Sequence, residues 1–142
     1  MSESKLVVRH NRESKLVVRY LDGRVIKGHT LDFSSTKEGF HLIPEDESAG
    51  SREVRFNQVK AVFFVRDFTG NREYDERKEF DGSQKFMGKR MQVTFLDGEV
   101  LTGVAEIYMP NRIGFILFPP DPNSNTEKVF VVNSSVREVK FL

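Results

Sequence analysis

The sequence predicts an all-β protein built as two tandem five-stranded small barrels that arose by internal duplication. Three observations carry that expectation. The phrase YLDGRVIKG at residues 20–28 returns as FLDGEVLTG at residues 95–103, and the match runs without a gap from 20–46 to 95–121. Ten of those 27 pairs are identical: Leu21/Leu96, Asp22/Asp97, Gly23/Gly98, Val25/Val100, Gly28/Gly103, Gly39/Gly114, Phe40/Phe115, Leu42/Leu117, Pro44/Pro119 and Asp46/Asp121. Short apolar segments alternate with turn-forming Asp-Gly, Pro and Asn, which is the punctuation of strands. No segment within either copy sustains the 3.6-residue apolar period of a helix.

The elements follow in order. In KLVVRY (residues 15–20) apolar and polar residues partly alternate before Asp22-Gly23, a dipeptide suited to the positive φ of a tight hairpin turn. RVIKGHTLDF (24–33) reads as a long second strand, and Gly28 inside it predicts a bulge or sharp bend that lets one strand serve two sides of a small barrel. GFHLIP (39–44) is a third strand stopped by Pro44, and EDESAGSRE a polar loop. EVRF and VKAVFFV supply the fourth and fifth strands, with Asn57-Gln58 between them. The second copy repeats the plan as MQVTF, EVLTGVAEIYM, IGFILFP, KVFVV and VREVKFL, with Asp97-Gly98 as its turn and Gly103 as its bend. A shift of 77 aligns the closing strands, through Val59/Val136, Val62/Val139 and Phe64/Phe141.

Five strands with a bent second strand outline an SH3-like barrel. The turn Asp-Gly, the Gly five residues on, and the closing pairs VRFNQVKAVFFV and VFVVNSSVREVKFL resemble the Sm-like fold over about fifty residues in each copy. The whole chain is also similar to bacterial domains of unknown function that carry the signature LDG…GF.LFP.DP…VFVV. The Sm-like resemblance brings RNA binding to mind. That family places an Asn before the third strand and an Arg-Gly between the last two. Here Gly39 and Gly114 take the first position, and the closing turns read Phe56-Asn57 and Asn133-Ser134, so RNA binding is not favoured. DFSSTKEG (32–39) resembles the Asp-x-Ser-x-x-Gly of PilZ domains, which bind cyclic dinucleotides, but its Gly falls two residues late and no Arg-x-x-x-Arg accompanies it.

Composition narrows the function. Twenty-two basic residues against 21 acidic give a net charge of +1, which provides no global field for polyphosphate. Thirteen Phe and no Trp direct aromatic mass into packing, because a buried Phe has no polar group to satisfy. The absence of Cys removes disulfides, thiolate metal sites and cysteine nucleophiles, and agrees with a reducing, cytoplasmic setting. No window approaches the apolar length of a membrane span, so no membrane partner is expected. His10, His29 and His41 are the three histidines, and the counterparts of His29 and His41 are Val104 and Ile116, which suits packing or a rim better than metal ligation. No GxSxG phrase, P-loop or dinucleotide fingerprint occurs, and Asp22 and Asp97 are accounted for as turn residues. The expectation is a protein that is not an enzyme and carries no cofactor.

The predicted layout is a loosely held segment at 1–12, a first barrel at 13–66, a charged linker at 67–89 and a second barrel at 90–142. The segment 1–12 contains ESKLVVR at 3–9, identical to residues 13–19, and either lies loose or pairs with an exposed edge. The linker mixes both charge signs with Phe68, Tyr74, Phe80 and Phe86, and its residues Glu73–Glu79 have the charge mix of a short helical turn. Two sets of interaction candidates emerge. One is the step Phe118, Pro119, Pro120, where Phe118 matches Ile43 and faces away from the core residue Phe115; the two barrels are expected to pack on each other there. The other is the basic-aromatic strip Arg66, Phe68, Arg72, Tyr74 and Arg77. Taken together, the sequence points to a non-catalytic binding or adaptor module in a bacterial cytoplasm. Its partner is expected to be another protein or a second copy of itself, with nucleic acid or a cyclic dinucleotide as the alternative ligand.

Overall fold

The structure is a computed structural model that describes residues 14–46, 50–69, 76, 78–80 and 88–142. It is all-β: ten strands and two short 3-10 turns, with no α-helix among the described residues. The first copy supplies β1 (Ser14–Tyr20), β2 (Val25–Thr30), β3 (Gly39–Pro44), β4 (Arg52–Arg55) and β5 (Val59–Val65). The second supplies β6 (Lys89–Phe95), β7 (Val100–Ala105), β8 (Gly114–Leu117), β9 (Thr126–Val132) and β10 (Val136–Phe141). Phe56–Gln58 and Asn133–Ser135 form the 3-10 turns that join the last two strands of each copy.

Hydrogen bonding divides these strands seven and three, not five and five. The larger sheet has the order β4-β3-β2-β1-β5-β9-β8 and the smaller β10-β6-β7. A single bridge, Val104 to Phe118, ties β7 to the end of β8, with N–H to O distances of 2.9 and 2.8 Å in the two directions. The second copy therefore repeats the first copy's neighbour order, with one link reduced to a bridge. What joins the copies is the antiparallel ladder β5–β9, which sets Ala61 opposite Val131, Val62 opposite Phe130 and Phe63 opposite Val129.

That junction explains the two most apolar strands. Successive side chains of a strand face opposite ways. On β5, Val62 and Phe64 enter one core while Ala61 and Phe63 enter the other. On β9, Phe130 and Val132 join the first core and Val129 and Val131 the second. A strand buried on both faces reads as a continuous apolar run, as VKAVFFV and VFVV do. The first core is otherwise made by Leu16, Val18, Phe40, Leu42, Val54, Phe56 and Val59, with Phe33 packed against it. The second is made by Met91, Val93, Phe95, Ala105, Phe115 and Leu117. The copies are thus joined edge to edge through strand pairing, whereas packing through the Phe118 face was expected.

The second strand of each copy is shorter than its apolar pattern suggested, ending at Thr30 and Ala105. In the first copy Asp32 turns the chain: its Oδ1 accepts hydrogen bonds from Thr30 Oγ1 at 3.2 Å and from His41 N–H at 2.9 Å. Its Oδ2 lies 2.8 Å from His41 Nδ1. Burial pushes the Asp32 carboxyl up, but the bonds from His41 and Thr30 outweigh it and hold the group below its usual range. Gly28 carries no bulge, because the β1–β2 ladder runs through Leu16↔Gly28 without a shift. The glycine is required by close approach: a Cβ there would strike the carbonyl oxygen of Ile43 across the sheet, and at Gly103 it would lie 2.5 Å from the Phe118 oxygen. Gly23 and Gly98 both take φ +93°, the left-handed region their tight turns need.

The expected N-terminal segment 1–12 lies outside the described residues, as does most of the helical turn at 73–79. Among the described residues no helix is long and apolar enough to cross a membrane.

Candidate protein-binding face

The two LDG turns come to lie side by side. Each is pinned to the 3-10 turn of its own copy: Leu21 N–H donates to Gln58 O at 3.0 Å, and Leu96 N–H to Ser135 O at 2.9 Å. Ser135 also reaches across the copies, its Oγ donating to Lys60 O at 2.8 Å. As a result Leu21 and Leu96 line one hollow of about 350 Å³ together with Lys60, Phe95, Asp97 and Ser135. A neighbouring hollow of about 440 Å³ continues over Arg19, Leu21, Asp22, Arg24, Val25 and Glu99. Past Arg19 and Glu99 lies a third, of about 420 Å³, with Phe63, Val100, Leu101, Pro119 and Pro120 among its walls.

Lys60 organises this face. Its side chain is 9% exposed, yet the ammonium is paired with the carboxylates of Asp97 (2.7 Å) and Glu99. It also sits 4.8 Å from the centre of the Phe95 ring. A buried lysine is tolerated when it is paired and hydrogen-bonded in this way. The acids belong to the second copy and the lysine to the first, so the pair locks the copies at the same place as the β5–β9 ladder. The hydrogen bond from Lys60, followed by that from the Glu99 N–H, lowers the Asp97 carboxyl from its ordinary value. Arg19 adds a fourth charge, reaching Glu99 at 3.3 Å while its guanidinium stacks 4.9 Å from the Phe63 ring. Asp22, the counterpart of Asp97, is instead held by its own neighbour: the Arg24 N–H, then the Arg24 side chain, lower its carboxyl.

Around this charged centre the surface is apolar at matching positions in both copies. Leu21 is 48% exposed and Leu96 58%; Val25 is 53% exposed and Val100 47%. Hairpin geometry explains Asp-Gly in both turns but gives no reason for leucine before it, facing water twice.

Of the residues picked from sequence, Pro119 and Pro120 line the third hollow, while Phe118 is held by its bridge to Val104. Arg66 is a tether: Nε donates to Ser124 O at 3.1 Å, Nη2 to Pro122 O at 3.4 Å, and Nη1 pairs with Glu127 at 3.0 Å. Phe68 packs edge-on against His29 at 5.4 Å, and its carbonyl accepts a bond from Lys27 Nζ. These two fasten the start of the linker to the strands. Arg72, Tyr74 and Arg77 lie outside the described residues. Asp22, Gly23, Asp97 and Gly98 sit in the paired turns, and Gly28 and Gly103 at the close strand approaches. Sequence reasoning missed Leu21, Leu96, Val25 and Val100 as surface residues, although their identity in both copies was the signal. Lys60 and Glu99 had no such signal, because their counterparts Arg137 and Arg24 differ from them. Among the described residues no group of three or more His, Asp or Glu is arranged to hold a metal ion.

Residues 12–142 match the model of a family described as "Family of unknown function (DUF6982)", and the chain belongs to that family. No curated protein and no solved structure matches it.

Proposed function

We propose that the chain is a non-catalytic binding module that docks another protein on the face built by its two LDG turns. The observation that carries the proposal is the repeated exposure of Leu21 and Leu96, and of Val25 and Val100, around the inter-copy ion cluster. Apolar side chains set in a rim of balanced charge have the make-up of a protein interface, with an apolar centre and a polar border. In this proposal each copy is an SH3-like small barrel with an Sm-like strand order, working in a bacterial cytoplasm, and the rigid pair presents both turns at a set spacing. The lack of cysteine fits that compartment.

The test is affinity capture from the native host with mass spectrometry, run side by side with Leu21→Ser/Leu96→Ser and with Ile107→Ser. Ile107 is 68% exposed and is not among the residues lining the three hollows. The double variant is expected to lose specific partners that the Ile107→Ser protein keeps. Retention by the double variant, or equal loss by both, refutes the reading.

A second reading has one observation in its favour. Arg55, Phe56, Asn57, Arg112, Asn133 and Ser134 meet around a separate hollow of about 380 Å³, which joins the closing turns of both copies. Two arginines beside asparagine side chains are groups that contact phosphates and base edges. Salt-sensitive binding of single-stranded RNA that Arg55→Ala/Arg112→Ala abolishes is the result that supports it.

A further inference from the structure

The β5–β9 junction is head to tail: it joins the fifth strand of one copy to the fourth strand of the next. Such a heterologous contact has no built-in end, and an object that carries it internally also carries its two unmatched halves at its ends. Here those halves are β10, the counterpart of β5, and β4, the counterpart of β9. Among the described residues both are edge strands, β4 at the end of the larger sheet and β10 at the end of the smaller. Repeating the junction between chains would pair β10 of one molecule with β4 of the next, giving a ring or a filament. Exposed edges of this kind are hazards that proteins manage with charge.

We infer that these two edges are barred to second copies of this chain by like charges placed where the internal junction is apolar or ion-paired. The residues follow from the repeat. The shift of 77 that aligns the closing strands maps Lys60, Ala61 and Phe63 onto Arg137, Glu138 and Lys140. It maps Val129, Phe130 and Val132 onto Arg52, Glu53 and Arg55. The ladders agree with this alignment, since Gly39 faces Arg55 as Gly114 faces Val132. Transferring the internal register, in which Phe63 faces Val129, sets Lys140 opposite Arg52. Three residues further along the same register, beyond Val139/Glu53 and Glu138/Val54, Arg137 falls opposite Arg55. Like charges directly opposite across a ladder oppose pairing.

The ion cluster fails in the same direction. Inside the chain Lys60 meets Asp97 and Glu99. At a repeated junction Arg137 would meet Asp22 and Arg24. Asp22 is already engaged by Arg24 at 2.9 Å, so one acid is spent and the other has become a base. Lys140 against Arg52, and Arg137 against both Arg55 and Arg24, therefore turn an attractive internal contact into a repulsive external one.

The chain has no cysteine, so engineered thiols report cleanly. The transferred register sets Phe141 opposite Ser51, the counterparts of Phe64 and Lys128. Directly opposed ladder residues lie within disulfide range. A Ser51→Cys/Phe141→Cys protein is expected to sediment as a monomer and to give no disulfide-linked species on oxidation. Adding Arg24→Glu, Arg52→Glu and Arg55→Glu is expected to produce linked species at least about tenfold above the detection limit. Further reversal of Arg137→Glu and Lys140→Glu restores repulsion and is expected to abolish linkage again. Should the first set fail to fold by circular dichroism, Arg137→Glu/Lys140→Glu alone creates the same attraction from the other edge. Linkage in the protein with native charges overturns the inference, and so does a folded, reversed-charge protein that stays unlinked.

Discussion

Phe33→Ala should cost more stability than Tyr108→Ala, the truncation at the matching position of the second copy. The Phe33 ring lies edge-on to four others: Phe40 at 5.2 Å, Phe56 at 5.8 Å, Phe64 at 5.1 Å and Phe130 at 5.3 Å. These come from β3, a 3-10 turn, β5 and β9, so one side chain binds four segments, and the last belongs to the other copy. Truncating a buried Phe to Ala costs about 3–5 kcal/mol; because Phe33 keeps partial solvent contact, its loss belongs at the lower end, about 3 kcal/mol. Tyr108 stands 75 positions on and meets Phe115 at 5.0 Å and Phe141 at 5.5 Å, the latter itself half exposed. Its truncation should cost roughly half as much, about 1.5 kcal/mol.

Equilibrium unfolding in urea, followed by far-UV circular dichroism, measures both. With a urea slope of about 2 kcal/mol/M, the midpoints fall by roughly 1.5 M and roughly 0.7 M. Phe33→Leu keeps apolar volume but not the edge-on ring contacts, and should cost about 1 kcal/mol. A Tyr108→Ala loss equal to or larger than that of Phe33→Ala refutes the reasoning. So does a Phe33→Leu protein as weak as Phe33→Ala.

Two further outcomes follow from the same geometry. Gly103→Ala would set a Cβ 2.5 Å from the Phe118 oxygen and 2.7 Å from Leu117 Cγ, forcing β7 from β8; a loss of about 1–3 kcal/mol is expected, with faster amide exchange at Val104 and Phe118. The Asp97 carboxyl is lowered by Lys60, so its stabilising contribution is complete above the ordinary carboxylate pKa of about 3.9 and is lost as pH falls through the lowered folded value. Lys60→Met should therefore flatten the acid limb of the stability-against-pH curve, and an unchanged acid limb counts against the pairing.

Much of the fold was readable because its signals are local. Asp-Gly marks the turns, Pro44 ends β3, and the strand segments fall within a few residues of their predicted places. The exception is the end of β2 and β7. Pairing stops after Thr30, where Asp32 takes up the Thr30 hydroxyl and the His41 N–H, which a pattern of apolar residues cannot report. Gly28 was legible as special, and of the bulge or sharp bend it suggested the unshifted ladder excludes the bulge. A bulge and a close approach both demand glycine, and only the position of Ile43 across the sheet separates them. The candidate face was half legible: identity between copies singled out Leu21, Leu96, Val25 and Val100, and burial alone showed that they face water.

By itself the sequence determined the strand content, the duplication and the two tight turns, since each rests on interactions among near neighbours or on identity between the copies. Tertiary structure decided how the copies meet. Whether an apolar run such as VKAVFFV buries its second face against a sister copy, a partner or a linker depends on pairing with residues far along the chain, as Ala61 pairs with Val131. That pairing brings Lys60 to Asp97 and Glu99 and draws Leu21 and Leu96 onto one hollow. Strand edges and charges are interchangeable in a sequence until a fold assigns each one its neighbour.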